Sequence, residues 1–202
     1  MNYVEQSLTS GEKIYHIGRF HWIYLVNASF WLFFGAGVFF AVIIAGMTWD
    51  VRTDMSATLP NLPDQYFWQG WADTIARRGG YIAVLRDLHP GLKLLAFGGL
   101  LVGAALFGQM MIIKATTEIA VTTKRLVIKE GVIARRVDEM NIDRIESVHV
   151  TQSVLGRLLD FGVVQVRGMG VGEITLPVLA RPIAIRQAIE KAKFTAEARE
   201  TW

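Results

Sequence analysis

The stretch WIYLVNASFWLFFGAGVFFAVIIAGMTW, Trp22 to Trp49, runs for 28 residues without Asp, Glu, Lys or Arg. A second, LLAFGGLLVGAALFGQMMII, adds 20 more from Leu94 to Ile113, bracketed by Lys93 and Lys114. Twenty helical residues cover about 30 Å, the hydrocarbon thickness of a bilayer. A charge at the centre of such a span costs roughly 2.5–3.5 kcal/mol, so its absence over this length is a physical signal. Both stretches read as membrane spans. The competing reading, two core helices of a soluble protein, is weak because 202 residues are too few to wrap both on all sides. A secretory signal is also a poor fit to the first stretch, which is too long and has no small-x-small cleavage site after it. Trp22, Tyr24, Trp31 and Trp49 include residues near both ends, as an interfacial aromatic belt requires.

Composition agrees once these windows are removed. The chain is 52% hydrophobic and 19% charged, but all 21 Lys and Arg and all 18 Asp and Glu lie outside the two windows. There they make up about a quarter of the residues, the ordinary fraction of a soluble protein. The absence of cysteine excludes disulfides, thiolate zinc, iron–sulfur clusters and cysteine nucleophiles. A net charge of +3 is too small to suggest nucleic acid. Lys13, Arg19, Lys114, Lys124, Arg125 and Lys129 on the terminal side nearly balance Arg52, Arg77, Arg78, Arg86 and Lys93 between the spans, so charge sets no orientation. An even number of spans puts both termini on one side.

Gly99 and Gly103 form GxxxG in the second span, with Gly98, Ala104 and Gly108 nearby, and the first span offers Gly35, Gly37 and Gly46. Small residues let helix backbones approach closely in lipid, either within the hairpin or between copies. Gln109 is the one strongly polar residue of that span and is a candidate for a hydrogen bond across the packing.

Residues 50–93 between the spans read as a loop whose first half, Thr58 to Asp64, is irregular. Phe67, Trp71 and Ile75 then fall on one helical face, with Trp68 beside them and Arg77 and Arg78 following. Phe67, Trp68 and Trp71 are candidate anchors of a helix lying in the headgroup layer. A protein-contact surface and a small cap on the hairpin are the alternatives.

After Lys114 the periodicity changes. Thr116–Thr122 alternates polar and apolar, and Arg125–Val137 reads as two β-runs around Glu130-Gly131. Arg144–Thr151, Gly162–Gly168 and Glu173–Leu176 are further strands, with a short helical turn at Ser153–Asp160. Ile185, Ala188, Ile189, Ala192 and Phe194 predict a final helix with one apolar side, opened by Pro182. Short antiparallel strands followed by one helix imply a small barrel or sandwich capped by that helix.

Here the residues carry a resemblance. Val121-Thr122-Thr123-Lys124-Arg125-Leu126-Val127-Ile128, then Gly131-Val132-Ile133, then Ile145-Glu146-Ser147-Val148 resemble the bacterial pleckstrin-homology (PH) domain family, type two. So do Gln152-Ser153-Val154-Leu155-Gly156-Arg157-Leu158-Leu159 and the following Phe161-Gly162. The resemblance runs from about Thr116 to Ala192 and is specific in order and spacing. Gly11-Glu12-Lys13-Ile14 resembles the lead that precedes the membrane helices of such proteins. It implies a PH-like barrel with a C-terminal helix, facing the cytoplasm, on a bacterial inner-membrane protein. The expected organisation is an N-terminal cytoplasmic lead (1–21), spans at 22–49 and 94–113, an extracytoplasmic loop (50–93) and a PH-like domain (114–202). The fold class is accordingly a two-helix transmembrane hairpin followed by an antiparallel β-barrel or sandwich with a C-terminal helix.

Catalytic patterns are weak. Ser147 and His149 share a strand face, but side chains two residues apart on a strand stand about 7 Å apart and parallel. HExxH and other metal spacings are absent, and Gly168-Met169-Gly170-Val171-Gly172 has Glu173 where a dinucleotide fingerprint needs glycine. No cofactor, metal or catalytic residue is expected. Lys124, Arg125, Arg135 and Arg136 are candidate contacts for a partner or for anionic lipid headgroups, each worth about 1 kcal/mol near a charged surface. Arg157, between Leu155 and Leu158, suits a structural pair with a carboxylate such as Glu146. The expectation is a non-enzymatic membrane protein that binds protein partners or copies of itself through the PH-like domain. A lipid- or ligand-sensing module and an accessory subunit of a larger complex are the alternatives.

Overall fold

The computed structural model describes residues 3–60, 63, 66–131, 136–170 and 172–200. In chain order, α1 (Tyr3–Ser7) and β1 (Ile14–Gly18) precede helices α2 (Trp22–Thr58), α3 (Phe67–Arg77), α4 (Tyr81–Asp87) and α5 (Pro90–Thr116). Strands β2 (Glu118–Thr122), β3 (Arg125–Glu130), β4 (Arg136–Asn141) and β5 (Ile145–Thr151) follow. Then come α6 (Val154–Leu158), β6 (Phe161–Gly168), β7 (Gly172–Thr175), β8 (Leu179–Ala180) and α7 (Pro182–Glu200). Two compact units result: Ala28–Gly108, and Met1–Asn27 together with Gln109–Trp202.

The helical unit is a hairpin with a cap. Both α2 and α5 are long and apolar enough to cross a membrane, and only 17% and 11% of their most apolar windows are buried. Core helices of a soluble protein would be mostly covered. Within the charge-free windows the buried positions are Ala28, Gly35 and Gly46 of α2 and Ala96 and Gly103 of α5, so small residues line the contact there. A Cβ on Gly103 would lie 2.6 Å from the Trp31 carbonyl oxygen and 2.9 Å from Gly35 Cα, and only glycine permits that approach. The described residues of 50–93 are largely helical and not a loop, while residues 61, 62 and 64 of the stretch expected to be irregular lie outside the described residues. Helix α2 continues nine residues past Trp49, about 13 Å, because its continuation has partners. Val51 is buried with Ile75 and Val84, with Met47 and Trp71 packed against them. The charge-free window marks the apolar part of the helix and not its end.

The other unit is a sandwich. One sheet runs β1-β2-β3-β4, all antiparallel, with Ile119 opposite Ile128 and Leu126 opposite Met140. The other runs β5-β6-β7 with β8 also pairing β6, and sets Val148 opposite Val166 and Val150 opposite Val164. Strand alternation sends Ile119, Val121, Leu126, Ile128, Met140, Val164 and Val166 into one core. Ile185, Ile189 and Ala192 of α7 complete it, spaced as one helical stripe. Phe194 is off that stripe and is exposed, against expectation. On the outer face of the first sheet, Ala120 and Val127 pair across strands and receive Val4 of α1.

Strand β4 is described from Arg136; Val132–Arg135, where the second β-run was expected to start after Glu130-Gly131, lie outside the described residues. Two expectations are corrected. The sheets do not close into a barrel: an isolated bridge from Phe20 to Leu179 joins them at one seam, and among the described residues no ladder joins β4 to β7 at the other. Second, residues 1–21 are not a separate lead. Strand β1 pairs with β2, from Ile14 opposite Thr122 to Gly18 opposite Ile119, and so completes the sheet that was expected to start after residue 114. A five-residue strand with no clean alternation beside a long apolar helix has little signal of its own.

Candidate functional site

The most heavily bonded polar cluster lies where the N-terminal lead meets the β2–β3 turn. Thr9 and Glu12 face each other across a tight turn: the Thr9 N–H and hydroxyl donate to Glu12 Oε2 at 2.9 and 2.7 Å, and the Glu12 N–H returns to the Thr9 carbonyl at 2.9 Å. The Thr122 hydroxyl donates to Glu12 Oε1 at 2.6 Å and accepts the Arg125 N–H at 3.0 Å. Arg125 approaches Glu12 side-on through Nε at 3.1 Å and Nη2 at 3.2 Å. Its Nη1 reaches Glu139 at 2.7 Å, and Nη2 also donates to the Ser7 carbonyl at 2.7 Å. The Glu12 side chain is closed to solvent. Burial is the largest influence on it and would raise its pKa. The hydrogen bonds from Thr122, Thr9 and Arg125 together outweigh that and hold it at about 2. Beside the cluster, Lys13 and Thr123 exchange bonds: the Thr123 N–H reaches the Lys13 carbonyl at 2.9 Å and the Lys13 N–H reaches the Thr123 hydroxyl at 3.2 Å. The arrangement has no open face for a ligand. It is a clasp that holds residues 9–13 onto the domain.

The open seam between β4 and β7 forms a groove of about 510 Å³. Strand β4 pairs only with β3 and β7 only with β6, so each presents an unladdered edge to the groove among the described residues. Among the described residues Glu130, Arg136, Asp138, Glu139 and Glu173 line it, and Asp138 pairs with Arg136, Glu139 with Arg125 and Glu173 with Arg167. Ile128, Val137 and Ile174 supply apolar floor. A second groove, of like volume, runs along β1 and β8 past Tyr15, His16, Arg19 and Arg181. There burial first, and then Arg181 and Arg19, push the His16 imidazole below its ordinary pKa.

Among the described residues, Lys124, Arg125 and Arg136 do not form one patch. Lys124 is exposed and donates to the Ser10 carbonyl at 3.3 Å. Arg125 is the centre of the clasp, so its guanidinium is spent on Glu12 and Glu139 and is not presented to a headgroup. Arg136 is exposed beside Asp138 at 2.9 Å. Arg135 lies outside the described residues. Arg157 does not pair with Glu146; it stands exposed on α6 and makes no ion pair among the described residues. The signals for the missed residues were short: Thr-x-x-Glu at 9–12, Thr-x-x-Arg at 122–125 and an isolated carboxylate in the lead.

In the helical unit, Gly99 and Gly103 meet α2 within the hairpin, with the Gly99 carbonyl 2.8 Å from where a Gly35 Cβ would stand. Gln109 is exposed and its side chain makes no hydrogen bond among the described residues. The aromatic face of α3 is used internally: Ile75 is buried, Trp71 packs on Val51 and Val84, and Phe67 lies against Trp71 with ring centres 6.1 Å apart. Only Trp68 points outward. Phe67 and Trp71 thus contribute to internal packing, the arrangement a cap on the hairpin would have, while Trp68 is free for an outside contact. Arg78 locks that packing by pairing with both Asp50 and Asp54 on the continuation of α2. No hydrogen bond joins Ser147 to His149, and no three metal-binding side chains gather among the described residues.

A family model described as a bacterial PH domain matches residues 80–193. No curated protein and no solved structure matches the chain.

Proposed function

The chain belongs to the bacterial PH domain family, and from that premise we propose that it is a non-enzymatic interaction module held on a bacterial inner membrane by α2 and α5. The open β4–β7 seam is the observation that carries the interaction reading. An extended segment of a partner protein laid in the seam would gain backbone hydrogen bonds from one or both free edges. Asp138, Glu139 and Glu173 along the seam already pair with Arg136, Arg125 and Arg167, so the free backbone edges, and not a net charge, would recognise the segment. With β1 and β2 paired, the residues before the first span and after the second belong to one folded unit. That pairing supports a topology with both flanks of the hairpin on one face of the membrane, which we assign as the cytoplasmic face.

The absence of cysteine makes the test clean. Glu173→Cys in full-length protein, carrying a photoactivatable crosslinker and irradiated in native membranes, is expected to yield a discrete protein adduct at the seam. The same label at Glu146→Cys, on β5 away from the groove, should not. Adducts to lipid alone, or no adduct dependent on the seam position, would overturn the reading. Carbonate-washed membranes are expected to retain the protein, and its release would remove the anchoring part.

A further inference from the structure

The short helix α6 is docked the opposite way from a helix of a water-facing domain. Ser153 caps it, its Oγ accepting the Gly156 N–H at 3.0 Å. Gln152 Nε2 donates to the carbonyls of Gly156 and Phe161 at 3.3 and 3.1 Å. Gly156 is the buried residue of the helix, and a Cβ there would stand 2.7 Å from the Phe161 carbonyl oxygen. The glycine thus faces the domain. Val154, Leu155 and Leu158 face outward, at 87%, 63% and 79% exposure. A pinned helix that buries its glycine and offers its aliphatic side chains carries an apolar patch that something covers.

Its location says what. The Phe161 ring, just past α6, lies 5.1 Å from the ring of His21, the residue immediately before the charge-free window. The Arg181 N–H bonds to the Asp160 carbonyl at 2.9 Å, and the Ala180 N–H bonds to the Arg19 carbonyl at 2.9 Å. Arg157, Arg181 and Arg19 are all exposed, against the single carboxylate of Asp160. Through the Phe161–His21 contact the patch therefore lies beside the residue that leads into a candidate membrane span, and Arg157, Arg181 and Arg19 flank it. We propose that α6 lies in the interfacial layer of the bilayer crossed by α2, with Val154, Leu155 and Leu158 at the headgroup–acyl boundary. The depth expected of such a helix is about 5–10 Å, with the arginines at the level of the phosphates. The occupant of the patch is an anionic lipid surface, and the tether through α2 keeps it at high local concentration. This inference rests on the membrane reading given above, and the test separates the two.

Full-length single-cysteine variants carrying a polarity-sensitive fluorophore are reconstituted into vesicles of phosphatidylethanolamine and phosphatidylglycerol. Leu158→Cys reports on α6, Phe33→Cys on the middle of the first span, and Glu146→Cys on water. All three side chains are exposed, so the substitutions leave the fold intact. The expected result is blue-shifted emission at Leu158, lost to nitroxide-labelled lipid with the label near the headgroup. Phe33 should be quenched by deep labels and Glu146 by neither. A Phe33 probe in water overturns the membrane reading and this inference with it. A Phe33 probe in lipid with Leu158 behaving like Glu146 overturns the inference alone. So does a Leu158 probe shielded from water yet insensitive to lipid nitroxides, which would assign the patch to a protein contact.

Discussion

Glu12 is the residue on which the domain's acid stability turns. Its carboxyl titrates at about 2 in the folded protein against 4.5 for an ordinary glutamate. A depressed folded pKa contributes stability that is fully present above about pH 4.5 and is lost as pH falls towards 2. The shift corresponds to about 3 kcal/mol. Denaturant titrations of detergent-solubilised protein, followed by circular dichroism, should show the wild type weakening over that window. Glu12→Gln is expected to be weaker at pH 7 by a similar amount and nearly flat between pH 4.5 and 2; an unchanged acid limb in that variant would show that other carboxylates govern it. Thr122, Thr123 and Arg125 were conspicuous in the sequence as part of a family string. Their task was not, because a string shows order along the chain and the partner of Arg125 is 113 residues away.

At the scale of elements, hydropathy located both long helices and misjudged how far they run. The property it reads is the solvent of the side chains, whereas a helix continues for as long as its backbone and its partners allow. Asp50 and Asp54 end the apolar window yet stay helical because Arg78 and the Val51–Ile75–Val84 cluster hold them. Arg78→Ala should raise hydrogen exchange across α3 and α4 while leaving the middle of α2 unchanged, for a loss of about 1 kcal/mol or less from partly exposed pairs. Uniform protection would mean the apolar cluster suffices. The glycine contact is stricter, since backbone meets backbone with no side chain to yield. Gly103→Leu is expected to drive α2 and α5 apart, read as a longer spin-label distance between Phe33→Cys and Leu101→Cys in the doubly labelled hairpin. An unchanged distance would show that Trp31 and Gly35 can reseat around the new side chain.

For the whole molecule, the discontinuous domain has a direct consequence. Residues 109–202 alone lack β1 and Glu12, leaving the β2 edge bare and Arg125 short of its buried partner. That fragment should fail to unfold cooperatively, whereas residues 1–20 joined by a flexible linker to 117–202 should recover a sigmoidal melt. Cooperative unfolding of the shorter fragment would show that β1 is dispensable. The family match begins at residue 80 and so does not include this strand.

By itself the sequence determined the two apolar helices, the switch to β-structure after Lys114 and the amphipathic last helix. Each is a local property: a run, an alternation or a stripe whose period is set by backbone geometry. Only the tertiary structure decided that the lead is the first strand of the second half, that Arg125 faces inward, that the sandwich stays open between β4 and β7, and that α6 turns its leucines out. Those depend on which distant groups meet, and burial and hydrogen bonding between residues a hundred positions apart leave no periodic trace in the chain.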